Sequence, residues 1–250
     1  MTGKVYAATR TGKLHVSSED SVLIGREVTA SEDHGDCPNP VRDLPEQGFV
    51  CVADGVGGYT GGAIASNYVL GALAEVKDMP PELLHPFLKQ IYQTLLEFAA
   101  SVPELRLMST TMTGIYFYDG KRYCVHAGNT RAYVYRGGCL EQITTDHTVY
   151  QELLAQGRVD EAAVCNRNTI TASFGGAPEM IRHLTVFECP PCETLLLTTD
   201  GIHDHLDQAE LEEIMGRDEK ENEKLERMIR RAQAEGSMDD LSGVIVSISE

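Results

Sequence analysis

Phe49-Val50-Cys51-Val52-Ala53-Asp54-Gly55-Val56-Gly57-Gly58-Tyr59-Thr60-Gly61-Gly62 is the stretch from which the fold is read. Five apolar residues in succession predict a strand buried on both faces. The strand stops at an Asp-Gly step, a glycine-rich turn follows, and an Ala- and Leu-rich helix is predicted from Gly62 to Val76. The same order recurs where Leu195-Leu196-Leu197-Thr198-Thr199 stops at Asp200-Gly201. Two acidic pairs sit at the other ends of strands. Glu19-Asp20 precede the run Ser21 to Ile24, and Asp239-Asp240 precede the run that closes at Ile248.

Further strand-like runs cover 5–9, 113–118, 123–127, 132–135 and 183–187. Tyr118-Asp119-Gly120-Lys121 and Arg136-Gly137-Gly138-Cys139 read as tight hairpins, which join antiparallel strands. Phe87, Ile91, Leu95 and Phe98 form a helical stripe after Pro81, and Leu225, Met228, Ile229 and Ala232 form another. Asp207 and Glu210 have capping-box spacing, and Val149 to Gln156 reads as a short helix ended by Gly157. The segment Ser31 to Gly48, with Pro38, Pro40 and Pro45, reads as a surface loop. The pattern predicts an α+β architecture of antiparallel sheets with helices packed outside them. With no repeat and no long linker, 1–250 is expected to be a single domain.

Lys and Arg number 21 against 38 Asp and Glu, a net charge of −17. That balance argues against nucleic acid and against anionic membranes as partners, since both need basic residues. No apolar run approaches the roughly 20 residues that span a bilayer, and the first ten residues carry no signal-peptide core. Seven scattered cysteines, an odd number, fit reduced thiols and a cytoplasmic location. Cys189-Pro-Pro-Cys192 reads as a turn between strands, with a redox or zinc half-site as the alternative.

In an antiparallel sheet the end of one strand lies beside the start of the next, so Asp54, Asp200, Glu19-Asp20 and Asp239-Asp240 are able to gather at one edge. Carboxylates packed together raise one another's pKa unless a cation joins them. Oxygen-only ligands select hard divalent ions such as Mg²⁺ or Mn²⁺, and a pair of such ions binds phosphoryl oxygens and activates water. The alternative is that Asp-Gly serves as an ordinary turn dipeptide. The run Gly55 to Gly62 leads from strand to helix, where its amides are suited to an anion. It lacks the ending of a nucleotide P-loop and the Rossmann spacing, and its alternative role is a turn that lets helix and strand pack closely.

Seven segments, in order along the chain, resemble one family. Ser18-Glu19-Asp20, Asp54-Gly55-Val56-Gly57-Gly58 with its following helix, and Ser109-Thr110-Thr111 come first. Gly128-Asn129-Thr130-Arg131-Ala132-Tyr133, Thr145-Asp146-His147-Thr148, Thr198-Thr199-Asp200-Gly201-Ile202 and Ser237-Met238-Asp239-Asp240-Leu241-Ser242 complete the set. Together the chain resembles the metal-dependent protein phosphatases of type 2C in their compact bacterial form. The resemblance implies a layered α-β-β-α sandwich with two Mn²⁺ or Mg²⁺ ions at one edge. It implies metal-ligand roles for Glu19, Asp54, Gly55, Asp200 and Asp239, and a catalytic role for Asp20 in holding metal-bound water. The implied reaction is hydrolysis of phosphoserine and phosphothreonine by a metal-bridging hydroxide. The implied partners are phosphorylated proteins and a cognate serine/threonine kinase.

The chain departs from the family's pattern at several positions. His15 stands where the family has an arginine that grips phosphate, with Lys13 nearby; a histidine loses the fork geometry and makes its charge pH-dependent. Asn129 replaces an aspartate of a third metal site, which should weaken that site, and Asp240 replaces an asparagine. The segment from Gly157 to Asn168 corresponds to a flap over the site. His147 is read either as a general acid or as a structural group at a helix start. Two rival functions stand beside the phosphatase: a binding module of weakened catalysis, favoured by His15 and Asn129, and a hydrolase of small phosphoesters.

Overall fold

The computed structural model describes residues 1–30, 40–56 and 61–249. Among them, thirteen strands form two sheets. The first sheet has the order β4 (Val41–Asp43), β1 (Thr2–Arg10), β13 (Leu241–Ser249), β12 (Thr194–Thr198), β8 (Arg131–Arg136) and β9 (Cys139–Gln142). The second has the order β11 (Thr185–Glu188), β7 (Lys121–Ala127), β6 (Ser109–Tyr118), β5 (Gly48–Val56), β2 (Ser21–Gly25) and β3 (Glu27–Ala30), with β10 (Phe174–Gly175) added beside β6. Every pairing is antiparallel.

Three cores follow from strand alternation. Val50 and Val52 of β5, Val22 and Ile24 of β2, Leu195 and Leu197 of β12 and Val244 and Val246 of β13 meet between the sheets. Phe49, Cys51 and Ala53 point the other way, onto α1 (Gly61–Ala74) and α2 (Leu84–Ser101). Leu196 and Ile245 face α5 (Asp200–His203), α6 (Gln208–Met215) and α7 (Glu221–Ala234) on the far side. Because β5 is covered on both faces it reads as an unbroken apolar run rather than an alternating one. The layers are therefore α-β-β-α, as the resemblance implies.

The turn signals hold. Asp119 and Gly120 have φ of 47° and 70°, the mirror-image turn that matches strand twist. Asp207 and Glu210 close a reciprocal capping box on α6. Cys189-Pro-Pro-Cys192 is the connection between β11 and β12, and both cysteines are free.

Three readings need adjustment. Phe98 does not join the buried stripe of α2, which runs Leu84, Leu88, Ile91, Tyr92, Leu95 and Ala99; it is 41% exposed and stacks on Tyr68 of α1, with ring centroids 6.1 Å apart. The expected loop from Ser31 to Gly48 contains the short edge strand β4, while its residues 31–39 lie outside the described residues. The strand-like run over 183–187 begins only at Thr185, as β11, with Leu184 outside the strand. No described helix is long and apolar enough to cross a membrane.

Candidate active site

The alternation that fills the inter-sheet core also sets the site. Continuing it by one step past each apolar pair brings Asp20 (before Val22), Asp54 (after Val52), Thr199 (after Leu197) and Ser242 with Asp240 (before Val244) to the same edge of the sandwich. Antiparallel register does the rest, since Ser21 lies opposite Ala53, and Thr199 N donates to Ser242 O at 3.0 Å.

At this edge a cavity of about 200 Å³ is lined by His15, Glu19, Asp54, Gly55, Asp200 and Asp239. Leu14, Val56, Asn129, Asn168 and Ile170 complete its described walls. Of the side chains to which the resemblance gives a metal or catalytic role, Asp20 is the one outside this described lining. It is 1% exposed and accepts a hydrogen bond from Thr199 Oγ1 at 2.9 Å. Burial and the charge of Asp240 push its pKa well above the usual carboxylate range.

Asp54 and Asp200 line the same wall and crowd each other's carboxyl groups. Burial, then the charges of Asp200, Asp20 and Asp239, raises the pKa of Asp54. Burial, then Asp239 and Asp204, pushes Asp200 up to about 7. Asp239 lies at the rim, its side chain 51% exposed. Glu19 is fixed through its backbone. Its carbonyl accepts from Ser66 Oγ at 2.7 Å and from Gly55 N at 3.2 Å. Gly62 is needed beside it, because a Cβ there would lie 2.7 Å from Glu19 Oε2. Gly201 is needed too, because its Cβ would collide with the carbonyl oxygen of Asp240.

Asp240 organises the entrance. Its Oδ1 accepts from Gly12 N at 2.7 Å, and its Oδ2 accepts from Glu19 N at 2.7 Å and lies 2.9 Å from His15 Nδ1. His15 Nδ1 is also 3.9 Å from Asp239 Oδ1. Burial opposes protonation of His15, but the hydrogen bond and charge of Asp240, with Glu19 and Asp239, outweigh it and raise the pKa. Among the described residues, His15, Asp239 and Asp240 are the one triplet whose ligating atoms all lie within 4.8 Å of one another. Glu19, Asp54 and Asp200 are spread around the cavity and form no such triplet.

Asn129 donates from Nδ2 to Asp200 Oδ2 at 2.9 Å, and its buried Oδ1 has no partner. An amide donor toward Asp200 relieves one negative charge without adding another. His147 is outside the cavity lining. It accepts from Gly128 N at 3.2 Å through Nδ1 and packs on His126 with ring centroids 4.5 Å apart, which favours the structural reading. Beside it Thr148 caps α3 (Val149–Ala155), accepting from Gln151 N at 3.2 Å. The expected flap contains α4 (Val159–Val164) and delivers Asn168, with Ile170 just beyond, to the cavity wall. Residues 57–60 of the glycine-rich run lie outside the described residues.

Sequence reasoning missed the fastening role of Asp240, Thr199 as the partner of Asp20, and Asn168 and Ile170 as wall residues. Thr110 was noticed only within a motif; its Oγ1 donates to Asp54 O at 2.8 Å and so holds the strand end. Strand parity was the available signal for Thr199 and Asp240. Nothing local marked the wall residues.

The protein phosphatase 2C profile matches residues 41–245. The chain belongs to the protein phosphatase 2C family. The serine/threonine phosphatase stp of Listeria innocua is 25% identical over 236 residues, covering 89% of this chain and 92% of its relative. The serine/threonine protein phosphatase PstP of Mycobacterium tuberculosis is 30% identical over 251 residues, covering 97% of this chain and 45% of the longer relative. A PstP catalytic domain solved in complex with two manganese ions superposes with a TM-score of 0.77 at 25% identity, covering 100% of both chains.

Proposed function

We propose that this protein is a divalent-cation-dependent serine/threonine phosphatase acting on phosphoproteins, with 1–250 as one catalytic unit. One observation carries the reading. Asp54 and Asp200 line one cavity together with Glu19, Asp239 and Gly55, and burial with the crowding of carboxylates drives both aspartates toward the protonated state. An all-oxygen donor set that strains to take up protons fits hard divalent cations such as Mn²⁺ or Mg²⁺. Glu19, Asp54, the Gly55 carbonyl, Asp200 and Asp239 are the groups that would hold two of them. When bound there, such ions supply positive charge for the phosphate oxygens and Lewis acidity to activate water.

The chain's own residues do the remainder. His15, with Nδ1 engaged by Asp240, keeps its other ring nitrogen as a donor for a phosphate oxygen. Asn129 orients Asp200 through its amide. Asp20 stands behind the wall and holds Thr199 in place by accepting from its hydroxyl. Leu14 and Ile170 give the entrance apolar walls that limit bulk water. Neither serine nor cysteine is among the described lining residues, which supports direct attack of water on phosphorus over a phospho-enzyme formed on those groups. The described cysteines are free, in keeping with a reducing, cytoplasmic setting shared with a kinase that makes the substrates.

A phosphothreonine peptide and para-nitrophenyl phosphate, each assayed with Mn²⁺ and with chelator, test the reading. Wild type is expected to release phosphate from both only with metal, and Asp54→Asn to release none. Mn²⁺ binding with no turnover would make the chain a binding module. Turnover of the small ester alone would remove phosphoproteins as substrates.

A further inference from the structure

Beside the catalytic cavity lies a second cavity, of about 580 Å³, bordered by Val56, Gly61, Gly62, Pro103, Leu107 and Met108. Its volume is that of a ligand pocket, and its wall is dominated by apolar atoms. Glu104 and Arg106 are the charged residues at its border. Leu107 is 80% exposed. A lone exposed leucine needs no explanation, but one that borders an apolar groove next to an active site does.

The groove adjoins the catalytic cavity. Val56 lines both, two residues beyond Asp54 on β5. Gly62, at the start of α1, faces the groove and also abuts the Glu19 carboxylate. Gly61 packs so closely on Met108 that an added Cβ would come within 2.8 Å of Met108 Cβ, so the absence of side chains at the helix start leaves the groove open. Residues 57–60 connect Val56 to Gly61 and lie outside the described residues.

We propose that this groove takes an apolar side chain of the phosphoprotein substrate, close in sequence to the phosphorylated residue, and that Leu107 and Met108 set that preference. The inference rests on the phosphatase reading above. A substrate fixed by its phosphate in the catalytic cavity must lay its neighbouring residues along the rim. An extended chain advances about 3.3 Å per residue, so the groove meets a side chain within about four positions of the phosphate. The groove favours Leu, Met or Phe there, because a charged side chain would lose hydration against Val56, Pro103, Leu107 and Met108 and gain little in return.

Phosphothreonine peptides that are identical except for Leu or Asp at each of four positions on either side of the phosphothreonine provide the test, with Mn²⁺ present. Wild type is expected to prefer Leu by about tenfold in kcat/KM at one of these positions. The preference should fall to near unity in Leu107→Glu and in Leu107→Ser and persist in Leu107→Met, with melting temperatures confirming that each variant folds. Hydrolysis of all peptides with no Leu preference, or a preference untouched in both Leu107→Glu and Leu107→Ser, overturns the groove assignment alone. Failure to hydrolyse any peptide while para-nitrophenyl phosphate is turned over overturns the phosphoprotein reading and the groove with it.

Discussion

His15 and Asp240 are bonded to each other, Nδ1 to Oδ2 at 2.9 Å. These are two of the positions at which the chain departs from the family's pattern, and here the two side chains meet. Where an arginine and an asparagine are expected, a histidine and an aspartate stand in contact. Asp240 is 3% exposed and already accepts two backbone amides, and a protonated His15 is the cation that balances it. Asp240→Asn should therefore lower the His15 pKa, because it removes the hydrogen-bonding charge that raises it. Histidine proton shifts followed by NMR in the metal-free protein measure this, and an unchanged titration would refute the pairing. The variant also leaves a backbone amide or His15 without its acceptor, at a cost of about 1–3 kcal/mol. Combined with His15→Asn, the two losses should be non-additive by at least about 0.5 kcal/mol.

The cation-free protein should lose stability as pH rises. Asp200 has its pKa raised to about 7, from burial first and then the charges of Asp239 and Asp204. A carboxyl with a raised folded-state pKa binds its proton more tightly in the native state. Its contribution is fully present below the unfolded value near 4 and is lost as pH climbs through 7. In chelator, the melting temperature of wild type is expected to fall relative to that of Asp200→Asn between pH 5 and 8, a comparison in which the buried histidines common to both proteins cancel. Saturating Mn²⁺ should raise the wild-type melting temperature and remove most of this relative slope. Metal-free melting temperatures of the two proteins that run parallel across this range would count against the crowded-carboxylate account.

An opposite dependence is built in elsewhere. Burial lowers His126 to about 4 and His147 to about 3, the latter also through the neighbouring His126 and His183. His126 bonds to Thr113 Oγ1 at 2.8 Å and to Thr145 O at 3.0 Å, partners that suit a neutral ring. The unfolded chain takes up protons below about 6.5, so the stability these rings contribute is present above 6.5 and lost as pH falls toward 4. With Mn²⁺ bound, urea midpoints should decline from pH 6.5 to 4.5. His126→Gln should be less stable at pH 7 yet show a shallower decline, and an equal decline would assign the acid sensitivity to other groups.

Much of the architecture was legible because it rests on local rules. Asp119-Gly120 specifies its turn, Asp207 and Glu210 specify a helix start, and the double-faced burial of β5 is written as an unbroken apolar run. Glu19, Asp54, Asp200 and Asp239 were legible because each stands at a strand terminus, and antiparallel pairing carries such termini to one edge. What escaped were choices made by tertiary packing. Phe98 has the helical spacing of a core residue, but α2 turns Leu95 and Ala99 inward and leaves Phe98 to Tyr68. Asp240 read as one more acid near the centre, because its two backbone partners, Gly12 and Glu19, lie more than two hundred residues away in sequence. Asn168 and Ile170 reach the cavity only through the path of the chain after α4, which no periodicity encodes.

Asn129 offers the sharpest test of how charge is apportioned at the centre. Its Nδ2 donates to Asp200 Oδ2 at 2.9 Å, and its Oδ1 is buried without a partner. Asn129→Asp replaces that donor with an acceptor and sets a fourth carboxylate against Asp54, Asp200 and Asp239. Without metal, the new charge meets like charges in a buried setting, so the melting temperature in chelator should fall. A loss of about 2 kcal/mol corresponds to roughly 4–8 °C for a chain of this size. With metal, the same carboxylate adds an oxygen ligand, so Mn²⁺ should be held more tightly or in greater number, as read by metal content after dialysis against a fixed free Mn²⁺ concentration. The gain in melting temperature on adding Mn²⁺ should then exceed that of wild type, because a cation that binds only the folded state stabilises it by RT ln(1 + [Mn²⁺]/Kd), which grows as Kd falls. A variant with wild-type metal content and an unchanged chelator melt would show that Asn129 serves only to orient Asp200.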